Sequence, residues 1–385
     1  MLKKSMELMA MQWTMYELGD LLEYEQPTAY IVESTDYSDS YSVPVLTAGK
    51  SFILGYTNET KGVFNKTPVI IFDDFTTATQ YVNFPFKVKS SAMKILHINT
   101  DLVLPKYIFY RMQIIQFDHS THKRYWIQEY SKIKVSIPPL PEQERITARI
   151  EELFSQLDAG VETLKKAKAQ LAVYRQAVLK EAFEDCNDSV TMGSVATMID
   201  PQPSHRTPPE FENGIPYIGI GDIDYTGKNI RFKDARKVNP AVFEEHLQRY
   251  TLREGDFVMG KIGTIGKPFR LPLPQNYTLS ANVILIQPDA EKINPEYLFW
   301  QFSSPLITEQ LMEGKNETSQ PAFGIQKARL LQIKMCSSEA QDRIVYDIRE
   351  KISVCENIEQ TVTLTLQQAE AMRQSILKYA FEGSL

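Results

Sequence analysis

"LPEQERI", Leu140 to Ile146, has a looser copy far downstream, "SEAQDRI", Ser338 to Ile344. Setting Gln143 over Gln341 fixes an offset of 198 that also pairs Arg145 with Arg343, Ile146 with Ile344 and Ile150 with Ile348. The same offset, without a gap, carries "RQAVLKEAFE" (Arg175 to Glu184) onto "RQSILKYAFE" (Arg373 to Glu382). Gap-free agreement over about fifty residues marks a true duplication.

Both copies start like helices. Pro141 suits a first turn, and Ser338 with Gln341 spells an S-x-x-Q capping box. Beyond those starts neither copy contains proline, and Gly160 is the one glycine before the ends. Steps of seven reach Ile150, Leu157, Leu164, Leu171 and Val178 in the first copy, and Ile348, Cys355, Val362, Ala369 and Ile376 in the second. All ten are apolar, so each helix carries a seam. Positions three later are mixed: Leu153, Ala167, Tyr174, Ile358 and Met372 stand against Lys351 and Thr365.

A helix of about forty residues is roughly 60 Å long at about 1.5 Å per residue, more than a small domain can bury alone. The reading is an antiparallel coiled coil of the two helices about a pseudo-two-fold axis. The alternative is two helices that lie separately on their own modules. The sequence before each helix repeats more faintly. "WTMYELGDLL" resembles "VTMGSVATMI" (Val190 to Ile199), "SVPVLTAGK" resembles "GIPYIGIGD" (Gly214 to Asp222), and "VLPKYIFYRM" (Val103 to Met112) resembles "INPEYLFWQF" (Ile293 to Phe302). Runs such as "PVIIF" and "ANVILIQP" between glycine, proline and asparagine read as strands and turns. The expected fold class is therefore α+β, two mixed modules joined by two long helices. The expected boundaries are module one at 1–138, helix one at 139–187, module two at 188–336 and helix two at 337–385.

At 385 residues, with 43% hydrophobic and 23% charged residues, the chain has the composition of a globular protein with more than one core. Glu7 interrupts the apolar N-terminal run, so neither a signal peptide nor a membrane span is expected. Three cysteines, Cys186, Cys336 and Cys355, sit at no metal-ligand spacing, and a reducing cytoplasm is the default.

Charge separates the parts. Basic and acidic residues number 14 and 14 over 1–134, 7 and 9 over 135–187, 16 and 17 over 188–334, and 5 and 8 over 335–385. Five of the six excess negative charges thus fall on the helices, which makes the modules the better place for phosphate contact. An overall pI near 5.6 argues against a self-sufficient DNA binder and allows one assisted by partners. In the modules, "FPFKVKSSAMK" gathers Lys87, Lys89, Ser90 and Lys94, and "GKIGTIGKPFR" gathers Lys261, Thr264, Lys267 and Arg270 among glycines. Lysines attract phosphate, glycines allow close approach, and hydroxyls can read base edges. The plainer meaning of such clusters is a strand edge protected by lysines.

Catalytic motifs fail one by one. "NFPF" (Asn83 to Phe86) is near the loop that holds a flipped adenine in amino-methyltransferases, but Phe84 replaces its first proline and no glycine-rich cofactor loop precedes it. "GKIGTIGKP" breaks the phosphate-loop spacing at Lys261 and Pro268. His119 and His122 lack a third ligand nearby. Asp73 and Asp74 lack a Glu-x-Lys companion and read as a strand end. A non-catalytic chain is expected.

The stretch "KVSIPPLPEQERITARIEELFSQLDAGVETLKKAKAQLAVYRQAVLKEAFE" closely resembles the conserved helical region of the specificity subunit of type I restriction-modification systems. That family is ordered reader, helix, reader, helix. The second copy departs from it, because "IKMCSSEAQDRI" lacks the prolines of "SIPPLPEQERI". The resemblance implies that each module is a target recognition domain on double-stranded DNA, with the helix pair as a ruler between half-sites. It implies two adenine-N6 methyltransferase subunits supplying S-adenosylmethionine chemistry, and two restriction subunits using ATP and Mg. Half-sites on one face of DNA recur about every 34 Å, within reach of such helices. Different readers imply an asymmetric, interrupted target.

The resemblance also strengthens the DNA-contact reading of "GKIGTIGK". By analogy Thr76, Thr77, Thr79, Lys87, Lys89 and Ser90 are the expected contacts in module one. "HKRYWIQ" (His122 to Gln128) lying over "SQPAFGIQ" (Ser319 to Gln326) gives a third contact region. The alternatives are the specificity subunit of a two-part type II enzyme, a self-contained methyltransferase, and a structural coiled-coil protein.

Overall fold

The computed structural model describes residues 13–49, 51–118, 123–204, 206–262, 265–314 and 323–382. In chain order, module one holds β1 (Thr14–Glu17), α1 (Leu18–Leu21), β2 (Leu22–Glu25), β3 (Val43–Leu46), β4 (Ile53–Thr57), β5 (Val69–Asp73), β6 (Thr79–Val82), β7 (Lys87–Val88), β8 (Met93–Ile98), α2 (Pro105–Met112) and β9 (Lys134–Ile137), followed by the long helix α3 (Leu140–Glu181). Module two holds β10 (Asp188–Thr191), α4 (Met192–Val195), β11 (Ala196–Ile199), β12 (Ile215–Ile218), β13 (Ile223–Asp224), β14 (Asn229–Ile230), β15 (Lys237–Val238), α5 (Pro240–Leu247), β16 (Phe257–Gly260), β17 (Pro268–Arg270), β18 (Thr278–Leu279), β19 (Val283–Pro288), α6 (Pro295–Phe302), α7 (Pro305–Gly314), α8 (Ile325–Arg329) and β20 (Gln332–Met335). The second long helix, α9 (Ser338–Phe381), follows.

The chain forms two compact units, Met1–Leu164 with Leu364–Leu385, and Lys165–Thr363. In sequence terms, each unit takes one module, the first half of the helix that leaves it, and the last half of the other helix. Unit boundaries therefore cut both helices rather than falling at their ends.

In unit 1, β1 pairs antiparallel with β9, which clasps the module shut just before α3 begins. A four-stranded sheet runs β2-β8-β5-β6, and a three-stranded sheet runs β4-β3-β7 with β3 and β7 parallel. Both faces of β5 are buried: Ile70 and Phe72 face one cluster with α2 and the long helices, Val69 and Ile71 the other. That explains why "VIIF" is a continuous apolar run and not an alternating one.

Unit 2 repeats the plan. Strands β10 and β20 form the clasp, the larger sheet runs β11-β19-β16-β17, and β12 lies between β15 and a parallel β18. The faint repeats before the helices map onto matching elements: β3 with β12, and α2 with α6, each of the latter opening on proline. The first repeat is shifted by three. "YELGDLLEYE", not "WTMYELGDLL", lies over "VTMGSVATMI", because α1 and α4 start at Leu18 and Met192 and bring Gly19 over Gly193. A side chain on either glycine would crowd the chain entering the clasp, at Ser131 and Arg329.

Along α3, Ile150 and Val178 are buried and Leu157, Leu164 and Leu171 half-buried; along α9, Ile348, Cys355, Val362 and Ala369 are buried and Ile376 half-buried. Tyr174, Ile358 and Met372 are exposed, so the seam is one residue wide for much of its length. In unit 2 the helix segments run antiparallel, since Lys168 meets Thr363 while Arg175, further on, meets the earlier Glu359. In unit 1 Arg373 meets Asp158 and lies 4.5 Å from the ring of Phe154. The same T-shaped pair closes both units, Tyr107 on Phe381 at 5.3 Å and Tyr297 on Phe183 at 5.4 Å.

The repeated glutamine has a role that the sequence reading misassigned. Gln143 is fully buried. It accepts from the Leu104 amide at the start of α2 (2.7 Å) and donates to the carbonyls of Leu102 (2.9 Å) and Pro138 (2.8 Å). Gln341 does the same in unit 2, accepting from Asn294 N (2.9 Å) and donating to Cys336 O (3.0 Å). It therefore forms no capping box with Ser338. Ser337 caps α9 instead, its hydroxyl accepting from Ala340 N at 3.3 Å. Removing the amide would strand buried backbone groups, each costing about 1–3 kcal/mol. Gln143→Met should lower stability by about 2–5 kcal/mol, more than Gln341→Met, read as the shift of the urea midpoint at unchanged slope.

Candidate nucleic-acid interface

Module one turns sharply between β5 and β6. Asp73 Oδ1 accepts from the amides of Phe75 (2.9 Å) and Thr76 (3.0 Å), and Thr77 takes φ 55 to complete the turn. Thr76 is exposed and Thr77 half-buried. The chain just before α3 is laid on this turn: Tyr125 N donates to Asp74 O (2.9 Å), Trp126 N donates to Asp74 Oδ1 (2.8 Å), and exposed Arg124 lies over the Phe75 ring. In module two the equivalent turn joins β16 to β17, and Phe323 N donates to Lys261 O (2.9 Å) as Tyr125 does to Asp74. Two stretches that the sequence reading kept apart, the glycine-lysine turn and the segment before the helix, thus meet in both modules.

The lysine cluster of module one is corrected. Lys87 is 3% exposed. It pairs with Glu59 at 2.7 Å and donates to Lys61 O at 2.8 Å, because its strand β7 runs inside the module beside β3. Thr79 is buried with its hydroxyl accepting from Gln113 Nε2. Lys94 is buried between Asp74 (3.4 Å) and Gln26. None of the three can meet a ligand from these positions. Lys89 is exposed, 5.8 Å from the Tyr37 ring, and Ser90 is half-buried, accepting from Ala92 N.

In module two Lys267 is exposed with its ammonium 4.3 Å from the Tyr225 ring. Lys261 is half-buried and paired with Asp200 at 2.8 Å, so its charge is largely matched within the module. Arg270 is exposed in part, and its guanidinium is held within the module. It stacks on Phe299 at 3.9 Å and pairs with Glu296 at 2.9 Å, and burial together with the nearby Arg349 charge pulls its guanidinium down to about 10. Thr264 and the two histidines, His119 and His122, lie outside the described residues. Among the described residues no group of three or more His, Cys, Asp or Glu is placed to hold a metal. No helix there is long and apolar enough to cross a membrane. The residues the sequence reading missed are the counterions, Glu59, Asp74 and Asp200, whose partners are distant in the chain, while Arg124 falls within the third contact region it named at His122 to Gln128.

Glu59 offers a pH test. The hydrogen bond from Lys87, then those from the Ser34 and Glu33 amides, hold its carboxyl below the ordinary 4.5. A depressed carboxylate contributes stability that is full above the ordinary value and lost as pH falls through the folded one. The urea midpoint should therefore drop as pH falls from about 5 to about 3. Lys87→Met should shrink that drop without abolishing it, since the backbone donors remain; an identical acid limb in the variant would remove the pair as its source.

Residues 11–171 match the family described as the type I restriction modification DNA specificity domain. The specificity subunit of the Escherichia coli type I enzyme EcoR124I/EcoR124II is 40% identical over 240 residues, 58% of this chain and 58% of that protein. The EcoBI specificity subunit of Escherichia coli is 23% identical over 280 residues, 65% of this chain and 58% of that one. The chain is thus matched over about 58% of the length of these relatives. Among solved structures, the HsdS subunit from Thermoanaerobacter tengcongensis aligns over 97% of each chain with TM-score 0.51 and 16% identity. A chain from a structure describing complex assembly and conformational transition of the type I R-M system aligns over 97% of this chain and 98% of that one, with TM-score 0.70 and 16% identity. At such identity the structural likeness speaks for the fold.

Proposed function

We propose that this chain is a specificity subunit of the type I restriction-modification family and reads a two-part, interrupted and asymmetric DNA target for a methylating and restricting complex. The observation that carries this is the duplication. Two modules share one topology and one glutamine anchor, yet present different residues at the equivalent turns: Thr76 with Arg124 in one, Lys267 in the other. Two readers of equal frame and unequal surface suit a target with two unlike halves. The chain carries no chemistry of its own in this reading. Adenine methylation with S-adenosylmethionine falls to two methyltransferase subunits and DNA cleavage with ATP and Mg to two restriction subunits, all held by this chain in the cytoplasm. The excess of acid on the helices supports their use as protein-docking rather than phosphate-binding surfaces.

Co-expression with the cognate methyltransferase subunit, followed by single-molecule mapping of N6-methyladenine, should reveal a two-part motif that requires both chains. Arg124→Glu and Lys267→Glu should each weaken target binding by the assembled complex by about tenfold, with a shallower salt dependence. If both charge reversals leave binding intact, the turns are not the reading surface.

A further inference from the structure

Unit 2 contains a cavity of about 970 Å³, between the β16–β17 turn, α6 and the helix segments of that unit. Its walls are aromatic and aliphatic, with Phe299, Trp300 and Ile352 among them, and its charged lining comprises five cations and two carboxylates. The duplication shows what this place holds in the other copy. Ile352 corresponds to Phe154, Arg175 to Arg373, and Trp300 to Tyr110. In unit 1 the Phe154 ring is buried, packs edge-on against Tyr110 at 5.6 Å, and carries the Arg373 guanidinium at 4.5 Å. In unit 2 the shorter Ile352 leaves that ring's place open.

The polar groups around it register the difference. The Nε atoms of Arg175 and Trp300 are both buried and, among the described residues, neither meets an acceptor. Both can only donate. A buried donor left without a partner costs about 1–3 kcal/mol, so the cavity favours an occupant that brings acceptors. Its cations are partly matched, Arg175 by Glu359, Lys228 by Glu356, and Arg270 and Arg349 by the shared Glu296, but five cations against these three carboxylates still leave a positive excess that favours an anion, and the volume is that of a small-molecule site.

We propose that this cavity binds a flat aromatic anion of the nucleoside-phosphate class. The base takes the place of the Phe154 ring beside Trp300 and under Arg175, and the phosphates face the cationic rim at Lys228 and Arg349. A free nucleotide and a nucleotide within DNA share this chemistry, and competition by an oligonucleotide separates the two. The site shares Lys267 with the β16–β17 turn of the DNA-reading proposal, but the residues that hold the base, Arg175, Trp300 and Ile352, lie outside that turn.

The test uses the full-length chain with ADP as probe, followed by calorimetry and tryptophan fluorescence, with adenosine and inorganic pyrophosphate as half-ligands. ADP should bind saturably and at least about tenfold more tightly than either half-ligand. Ile352→Phe, which restores the ring found in the other copy, should abolish ADP binding while keeping or raising the thermal midpoint. Arg175→Gln should weaken it even if the first variant folds poorly. Competition by a short single-stranded oligonucleotide would assign the site to nucleotides within DNA, and its absence to free nucleotide. ADP that binds no better than pyrophosphate, or binding unchanged in both variants, would overturn the site. Target methylation by the assembled complex should survive Ile352→Phe, so failure here and failure of the DNA reading remain distinct.

Discussion

A buried glutamine at the fourth residue of each long helix is the constraint on which the two units are built. Its side chain must accept from the first amide of a module helix and donate to a carbonyl just ahead of its own helix, Leu104 and Pro138 for Gln143, Asn294 and Cys336 for Gln341. Glutamate would offer no donor and asparagine would fall short by a methylene. The bond network fixes where the long helix leaves the module. Once that direction is set, the end of the other helix can be locked by a second repeated contact, the tyrosine-phenylalanine pair at the base of each unit. A polar anchor and an apolar latch together convert a long, otherwise unsupported helix into part of a globular core.

Around that frame, the two copies have exchanged charges without exchanging structure. Lys106 of α2 pairs with Glu151 of α3, while the corresponding Glu296 of α6 pairs with Arg349 of α9. At the end of the central strand, Asp74 meets Lys94 in module one, whereas the corresponding Lys261 meets Asp200 in module two. At the strand end, where the charges are buried or half-buried, the fold demands a matched pair, since leaving one partner buried alone is the costly state; the helix pair is more exposed and weaker. Either polarity satisfies it. The modules could therefore drift far apart in sequence while keeping strand order and register.

This explains what could be read in advance. The helices, their seam from Ile150 to Ile376 and the doubling of the modules were legible, because periodicity and repetition are properties of the chain itself. The α2 and α6 match was visible through its prolines and aromatics. The offset of the first repeat was not, since β1 and β10 share no side-chain pattern and only Gly19 and Gly193 mark the true alignment. Lys87 and Lys94 read as surface residues because lysine usually is one. Their burial depends on Glu59 and Asp74, and no local rule connects residues on separate strands. The glutamine was noticed for recurring, and Gln341 was given a local role, capping with Ser338, when the partners of Gln143 lie about forty residues away. Its separations of 39 and 41 residues from Leu104 and Leu102 are invisible to helix-start rules.

The same duplication sets a limit on how alike the two helix surfaces can be. Tyr346, Val354, Leu364 and Tyr379 are all more than half exposed on α9. Their counterparts on α3 are Ala148, Gln156, Lys166 and Glu181, small or polar at every position. α3 exposes fewer large apolar side chains, Leu140, Val173 and Tyr174, so burial by a partner would gain more on α9 than on α3. The two helices therefore share a backbone frame and differ in the side chains they expose. One kind of partner cannot bury both helices through the same contacts. The glutamine anchor and the tyrosine-phenylalanine latch that the two copies share are buried, so they set the frame and offer a partner no surface.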